Sequence, residues 1–377
     1  MMKYNLEDQQ TPCYVVDEAL LENNLRILDR VQKQAGVKIL LALKGFAMFG
    51  VFPLIRQYLP GVTASSLNEA RLGREEFGGE VHLCAPAYRA EEFGQLLDCC
   101  GHVVFNSFSQ KDKYLAAALK KGVRCGLRIN PEHREVETAI YDPCGPCSRL
   151  GVALENFQDG DLEGITGLHF HNLCEKGADA LARTLKIVEE KFGRYISSME
   201  WINMGGGHHI TRGDYDVELL CSTLKAFKEK YGVEIYLEPG EAVALNTGVL
   251  VASVLDVVHN QMPIAILDAS AATHMPDVLE MPYRPEVEGA GAPGKLAVTY
   301  RLAGPSCLAG DVIGDYSFAA ELKPGDQLIF HDMAHYTMVK NNTFNGINLP
   351  SIAVRKKTGE IEVLRAFTYQ DYKNRLS

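Results

Sequence analysis

The stretch Ile39-Leu40-Leu41-Ala42-Leu43-Lys44-Gly45-Phe46, "ILLALKGF", runs five apolar residues straight into an ammonium, and a glycine follows at once. The apolar run is that of a buried strand. Lys44 at its end is either a charge reaching for water or an amine placed at the mouth of a pocket. The sequence on either side decides what kind of pocket a strand end could face.

Seven more runs like it follow at regular intervals: 61–65, 81–85, 102–105, 123–129, 164–170, 200–204 and 233–238, with the first spanning 38–43. Helical patterns lie between most of them, at about 17–35, 49–58, 67–77, 89–99, 109–121, 176–192 and 214–231. Such β-α alternation predicts a parallel sheet with crossover helices, and eight units predict an α/β fold closed as a (β/α)8 barrel. After Gly240 the pattern changes to strands separated by Gly/Pro turns, such as "GVLVASVLDVVH", "MPIAILDAS", "KLAVTYRLAG", "DQLIFHD" and "SIAVRKKTGEIEVLRAF". The chain therefore reads as a barrel over 17–241 and an all-β domain over 242–377, to which residues 1–16, with "TPCYVVD", add a strand.

A chain of 377 residues, 46% hydrophobic and 23% charged, has the composition of a globular protein with two domains. A net charge of −10 argues against nucleic acid or an anionic membrane as partner. No apolar run is long enough to span a bilayer, and "MMKYNLEDQQ" has no secretory signal character. The ten cysteines sit in apolar contexts and read as reduced thiols of a cytoplasmic protein. Cys144 and Cys147 have C-x-x-C spacing but no second ligand pair, so a turn is preferred to zinc or a redox pair, and no metal is expected.

Barrel active sites lie at the C-terminal ends of the strands. Lys44, the pair His169 and His171, Gly205-Gly206-Gly207 and Glu238-Pro239-Gly240 all fall there. Glycines without Cβ atoms let backbone N–H groups wrap an anion, and the loops after the seventh and eighth strands are the usual phosphate site of this fold. A lysine that attaches a carbonyl cofactor needs desolvation to populate its neutral amine. One lysine, one phosphate cradle and one acid around a shared mouth suggest pyridoxal 5'-phosphate, with Glu238 at the pyridine nitrogen. Metal ligation by His169 and His171 would need further ligands, whereas His171 suits stacking on a flat ring. His208 and His209 read as satisfied polar groups.

These motifs together resemble the fold-type III pyridoxal-phosphate decarboxylases, whose barrel is alanine-racemase-like. "LALKGF" is similar to the lysine strand of that family, "GLHFHN" to its stacking-histidine strand, "NMGGG" to its phosphate loop and "EPGE" to its acidic motif. "GPSCLAGD" resembles the family's cysteine motif and "HYTMVKNNTFNG" its tyrosine segment. "YDPCGPCSRLG" and "HMPDVLEMPYRP" resemble the branch acting on carboxynorspermidine and carboxyspermidine.

The resemblance implies decarboxylation of a carboxylated polyamine. It implies Lys44 and Cys307 as catalytic residues, with Cys307 as the acid. It implies His171, Gly205, Gly206, Gly207, Glu238, Gly240 and Tyr336 as further cofactor contacts, and a homodimer with shared active sites. Ornithine and diaminopimelate decarboxylases carry "EPGR", where this chain has Glu241. That anion, with Asp277, suits the amines of a substrate tail; the other reading of each is a surface carboxylate. A diaminopimelate decarboxylase, an amino-acid racemase and a non-catalytic cofactor carrier are the alternatives on this fold.

Overall fold

The computed structural model describes residues 11–157 and 161–377; the polar decapeptide at the start of the sequence lies outside them. Two compact units emerge: Glu22–Val243, and the residues up to Leu21 together with Ala244–Ser377. No described helix is long and apolar enough to cross a membrane.

The strands, in chain order, begin with β1 (Cys13–Asp17), which belongs to the second of these units. The barrel follows as β2 (Lys38–Ala42), β3 (Gly61–Ala64), β4 (Glu80–Cys84), β5 (His102–Phe105), β6 (Arg124–Arg128), β7 (Gly167–His169), β8 (Trp201–Asn203) and β9 (Glu234–Leu237). Neighbours pair in parallel in sequence order, and β9 returns to β2 through Lys38↔Tyr236 and Ile39↔Leu237, so the eight strands close. Helix starts are set locally: the side chains of Ser66, Ser107 and Asp216 accept the backbone N–H of Glu69, Gln110 and Leu219. The exception to the alternation is the β6–β7 connection, which carries 3-10 turns at Ala139–Tyr141 and Leu154–Asn156 and no α-helix among its described residues. Cys144 and Cys147 lie in a turn there, both as free thiols.

Side chains alternate across a strand, so residues two apart share a face. Leu40, Val104, Trp201 and Tyr236 form a buried cluster inside the barrel, with Cys84 packed on it. Room for the indole of Trp201 comes from two glycines on adjacent strands. A Cβ at Gly167 would lie 2.0 Å from the indole, and one at Gly126 would lie 2.4 Å away. Gly167→Ala is therefore expected to destabilise the chain by about 1–3 kcal/mol through overpacking. A urea-unfolding midpoint unchanged from wild type would contradict that packing.

Ion pairs tie the strand starts together. Lys38 Nζ bridges Glu80 Oε1 (2.7 Å) and Glu234 Oε1 (2.9 Å). Arg124 bridges Glu234 and Glu200, both at 3.2 Å. Burial raises the carboxyls of Glu80 and Glu234, but hydrogen bonds and these cations outweigh it and hold both down at about 2. This polar girdle pins the register at the end of the barrel away from the candidate site.

The second unit is an eight-stranded sheet. It adds β10 (Gly248–Asn260), β11 (Met262–Leu267), β12 (Val298–Ala303), β13 (Val312–Phe318), β14 (Gln327–His331), β15 (Ser351–Arg355) and β16 (Ile361–Arg365) to β1. Their order is β13-β12-β11-β10-β1-β15-β16, with β14 also on β10. Cys13, Val15, Val249, Val251 and Ala353 form a core cluster where β1, β10 and β15 meet. The strand of this sheet nearest the N-terminus, β1, spans residues 13–17. The unit is not purely β: short helices occupy Ala271–His274, Asp277–Glu280, Thr337–Lys340 and Tyr369–Asn374. Strand β13 escapes sequence reading because Gly314 and Asp315 interrupt its apolar pattern.

Candidate active site

Lys44 follows β2 at the C-terminal mouth of the barrel, where solvent reaches it. Protein nevertheless surrounds it on most sides. That desolvation lowers its ammonium pKa; Glu238 opposes the effect without overcoming it, and the Arg128 guanidinium reinforces it. The glycine after it has a steric cause. A Cβ on Gly45 would lie 3.0 Å from Cα of Gly240, and one on Gly240 would lie 3.1 Å from Cα of Gly45. Ala42 N–H donates to Pro239 O (3.2 Å), so the loops after β2 and β9 close on each other by backbone alone.

Glu238 is buried just past β9. Its Oε1 accepts from Asn203 Nδ2 (2.6 Å), and its Oε2 lies 3.5 Å from His169 Nε2. Burial alone would raise this carboxyl, but His169 and Asn203 outweigh it and hold it at about 2. His169 is pushed the other way: burial lowers it, yet Cys84 and Glu238 bring it up to about 9. The pair is a buried imidazolium–carboxylate contact, and Cys84 Sγ lies 3.9 Å from His169 Nδ1.

His171 lies two residues past the end of β7, and its Nδ1 accepts the Gly206 N–H (3.1 Å). Burial, with the Lys44 cation beside it, pushes its pKa well below the ordinary value. A neutral ring whose Nδ1 accepts carries its proton on Nε2. Asn203 Oδ1 accepts the Gly205 N–H (2.9 Å). The glycine run is required by close packing. Gly205 and Gly207 have φ of 68° and 80°, and a Cβ at Gly207 would lie 2.0 Å from Leu173 O. Of the three N–H groups in the run, two already serve protein acceptors; that of Gly207 donates to none among the described residues. Glu241 Oε1 is 3.2 Å from His209 Nε2, so this anion has a partner within the barrel unit.

The remaining sequence-predicted residues lie in the sheet unit. Cys307 is exposed, and its N–H donates to Asn345 Oδ1 (2.7 Å). Buried Asp311 organises its loop by accepting from Ser270 Oγ (2.8 Å), Ser306 N–H (3.2 Å) and Ala272 N–H (3.2 Å). Tyr336 has φ of 50°, a strained value for an aromatic residue. Asp277 is ion-paired with Lys340, which also holds Glu280. Sequence reading missed the support in the barrel mouth: Arg128, Asn203 and Cys84, and the part played by His169. Strand register, which no single stretch of sequence reveals, sets Arg128 opposite His169 and His169 opposite Asn203.

The mouth thus offers a desolvated amine, a carboxylate held ionised and a neutral imidazole beside a glycine loop, a donor set that fits a phosphorylated pyridine aldehyde. The sequence profile described as "Pyridoxal-dependent decarboxylase, C-terminal sheet domain" matches residues 13–334. The chain belongs to the pyridoxal-dependent decarboxylase family. Its cofactor is accordingly pyridoxal 5'-phosphate and its class of activity is decarboxylation. Carboxynorspermidine/carboxyspermidine decarboxylase of Campylobacter jejuni is 46% identical over 97% of this chain and 98% of its own. Carboxyaminopropylagmatine decarboxylase of Synechocystis sp. is 46% identical over 98% of this chain and 96% of its own. The crystal structure of carboxynorspermidine decarboxylase from Campylobacter jejuni, complexed with norspermidine, superposes with a TM-score of 0.91 at 44% identity. It covers 97% of this chain and 100% of that one.

Proposed function

We propose that this decarboxylase acts on carboxynorspermidine and carboxyspermidine, releasing CO2 to leave norspermidine or spermidine. The observation that carries the reading is the full-length 46% identity to a relative of that name. Lys44 Nζ would hold the cofactor through its aldehyde carbon. The bound cofactor would supply a sink for the electron pair freed as the substrate carboxylate leaves. Glu238, kept ionised by Asn203 and His169, would hold the pyridine nitrogen protonated and so strengthen that sink. His171 would stack on the ring, and the backbone around Gly205, Gly206, Gly207 and Gly240, with Tyr336, would receive the phosphate. Cys307 Sγ carries the proton that replaces CO2 at the α-carbon.

Glu241 and Asp277 bind the ammonium groups of the substrate tail. Each is already matched in the free chain, Glu241 with His209 and Asp277 with Lys340, so a tail cation exchanges with those partners. The enzyme works in the cytoplasm as a homodimer in which Cys307 and Tyr336 serve the partner's site. Support for the compartment comes from the ten cysteines, all free thiols.

A second reading has its own support in the equal identity to the Synechocystis enzyme: a carboxylated tail ending in guanidinium rather than ammonium. Steady-state turnover of carboxynorspermidine, carboxyspermidine, carboxyaminopropylagmatine and meso-diaminopimelate separates the readings. The two carboxylated polyamines are expected to be turned over with the highest kcat/KM, differing from each other by no more than about 10–200-fold. One methylene is worth only about 1–3 kcal/mol in a pocket. Preference for carboxyaminopropylagmatine selects the second reading. Turnover of diaminopimelate alone overturns both.

A further inference from the structure

Cys84 ends β4 at the barrel mouth, partly buried and packed on the apolar cluster of Leu40, Val104, Trp201 and Tyr236. Its Sγ lies 3.9 Å from His169 Nδ1, and the other ring nitrogen lies 3.5 Å from Glu238 Oε2. His169 is 2% exposed, and its Nε2 has no well-formed hydrogen bond, only the long contact to Glu238. Asn203 fixes the far oxygen of that carboxylate. A thiol, an imidazole and a carboxylate in file are the parts of an activated nucleophile, in which the carboxylate orients the base and the base takes the thiol proton.

We propose that Cys84 is such an activated thiol, and that it is a modification site for small, soft electrophiles entering the barrel mouth. In the reaction, the sulfur electron pair forms the new S–C bond. The leaving group departs with its bonding pair, and the proton shared between the sulfur and Nδ1 of His169 stays on the imidazole. The charged and titratable groups around the sulfur favour this. Burial would raise the thiol, but His169, from β7, and the Arg128 guanidinium, from β6, outweigh it and leave the pKa lowered, against the opposing charge of Glu238. The Lys44 ammonium also faces it, and Tyr88, beyond β4, is a further titratable neighbour. Burial without such partners acts in the opposite direction elsewhere: Cys13 and Cys100 are both pushed up to about 12.

The proposal does not depend on the substrate, and labelling tests it apart from turnover. The full-length protein, prepared with and without added pyridoxal phosphate, is treated with limiting iodoacetamide between pH 6 and 8, and each cysteine is followed by peptide mass spectrometry. An ordinary thiol with a pKa of about 8.5 gains almost tenfold in rate for each pH unit over most of this range. Cys84 in the cofactor-free sample is expected to change less steeply with pH than that, because its thiolate is favoured by His169 and Arg128. The exposed Cys147 and Cys307 serve as references on the same chain. In His169→Gln the Cys84 profile is expected to become steep. A steep Cys84 profile in the unsubstituted protein overturns the proposal whether or not the variant folds. So does failure of Cys84 to label, or a flat profile that persists in His169→Gln.

Discussion

Lys44→Ala is expected to lower decarboxylation by at least about 10³-fold, because the proposed anchor of the cofactor is lost. Two lysines flank the same strand and show why this one is suited to the task. Lys38, at the start of β2, is gripped by Glu80 and Glu234, and despite the lowering effect of burial its ammonium is stabilised and its pKa raised. Lys44, beyond the end of β2, has no carboxylate at contact distance among the described residues, and crowding lowers its pKa. Only the second is shifted toward the neutral amine, and only a neutral amine attacks an aldehyde. Lys44→Arg is expected to be as inactive as the alanine variant, since guanidinium does not deprotonate. Both variants lose the near-visible absorbance of lysine-bound cofactor. Borohydride reduction of the wild-type enzyme followed by peptide mapping should put the cofactor on Lys44. An adduct on Lys38 or Lys176 would sink the assignment.

The barrel was legible because its signal is periodic. Each strand is a short apolar run, each crossover is amphipathic, and eight repeats leave little choice of topology. The chemistry at the strand ends was legible for a related reason: Lys44, Glu238 and the glycine run stand where a solvated surface would not need them. What could not be read is the layer beneath. Cys84, Arg128 and Asn203 look in sequence like members of buried strands, and the structure brings them round Glu238 and His169 by strand register. Register is a property of pairs of strands and leaves no mark on either one alone. The glycine run is a subtler case. Its position suggested N–H groups free for a phosphate, yet Gly205 and Gly206 spend theirs on Asn203 and His171. The glycines are fixed first by sterics, since a side chain at any of the three would meet backbone atoms at 2.5 Å or less.

In Glu238→Gln, turnover is expected to fall on the order of 10²–10³-fold, the scale seen when one preorganised electrostatic partner is removed. The substitution keeps the volume and leaves an oxygen for Asn203, so bound cofactor should remain. What it removes is the charge, and the loss should register on a second group. Cys84 and Glu238 together hold His169 at about 9, against an ordinary value near 6.5. Such a raised histidine contributes stability in full below about pH 6.5, and the contribution is lost as pH rises through 9. Over the whole span it amounts to about 3 kcal/mol, shared between the two partners. Glutamine cannot stabilise the imidazolium as a carboxylate does, so His169 titrates lower in the variant, with Cys84 alone keeping part of the shift. Histidine NMR on the cofactor-free protein should show that drop. Urea unfolding should show the variant trailing wild type clearly at pH 6 and by a smaller margin at pH 9.5. Near-normal turnover in a folded variant would remove Glu238 from the ring nitrogen. A stability gap that does not change with pH would mean that the buried carboxylate and the imidazolium are not coupled.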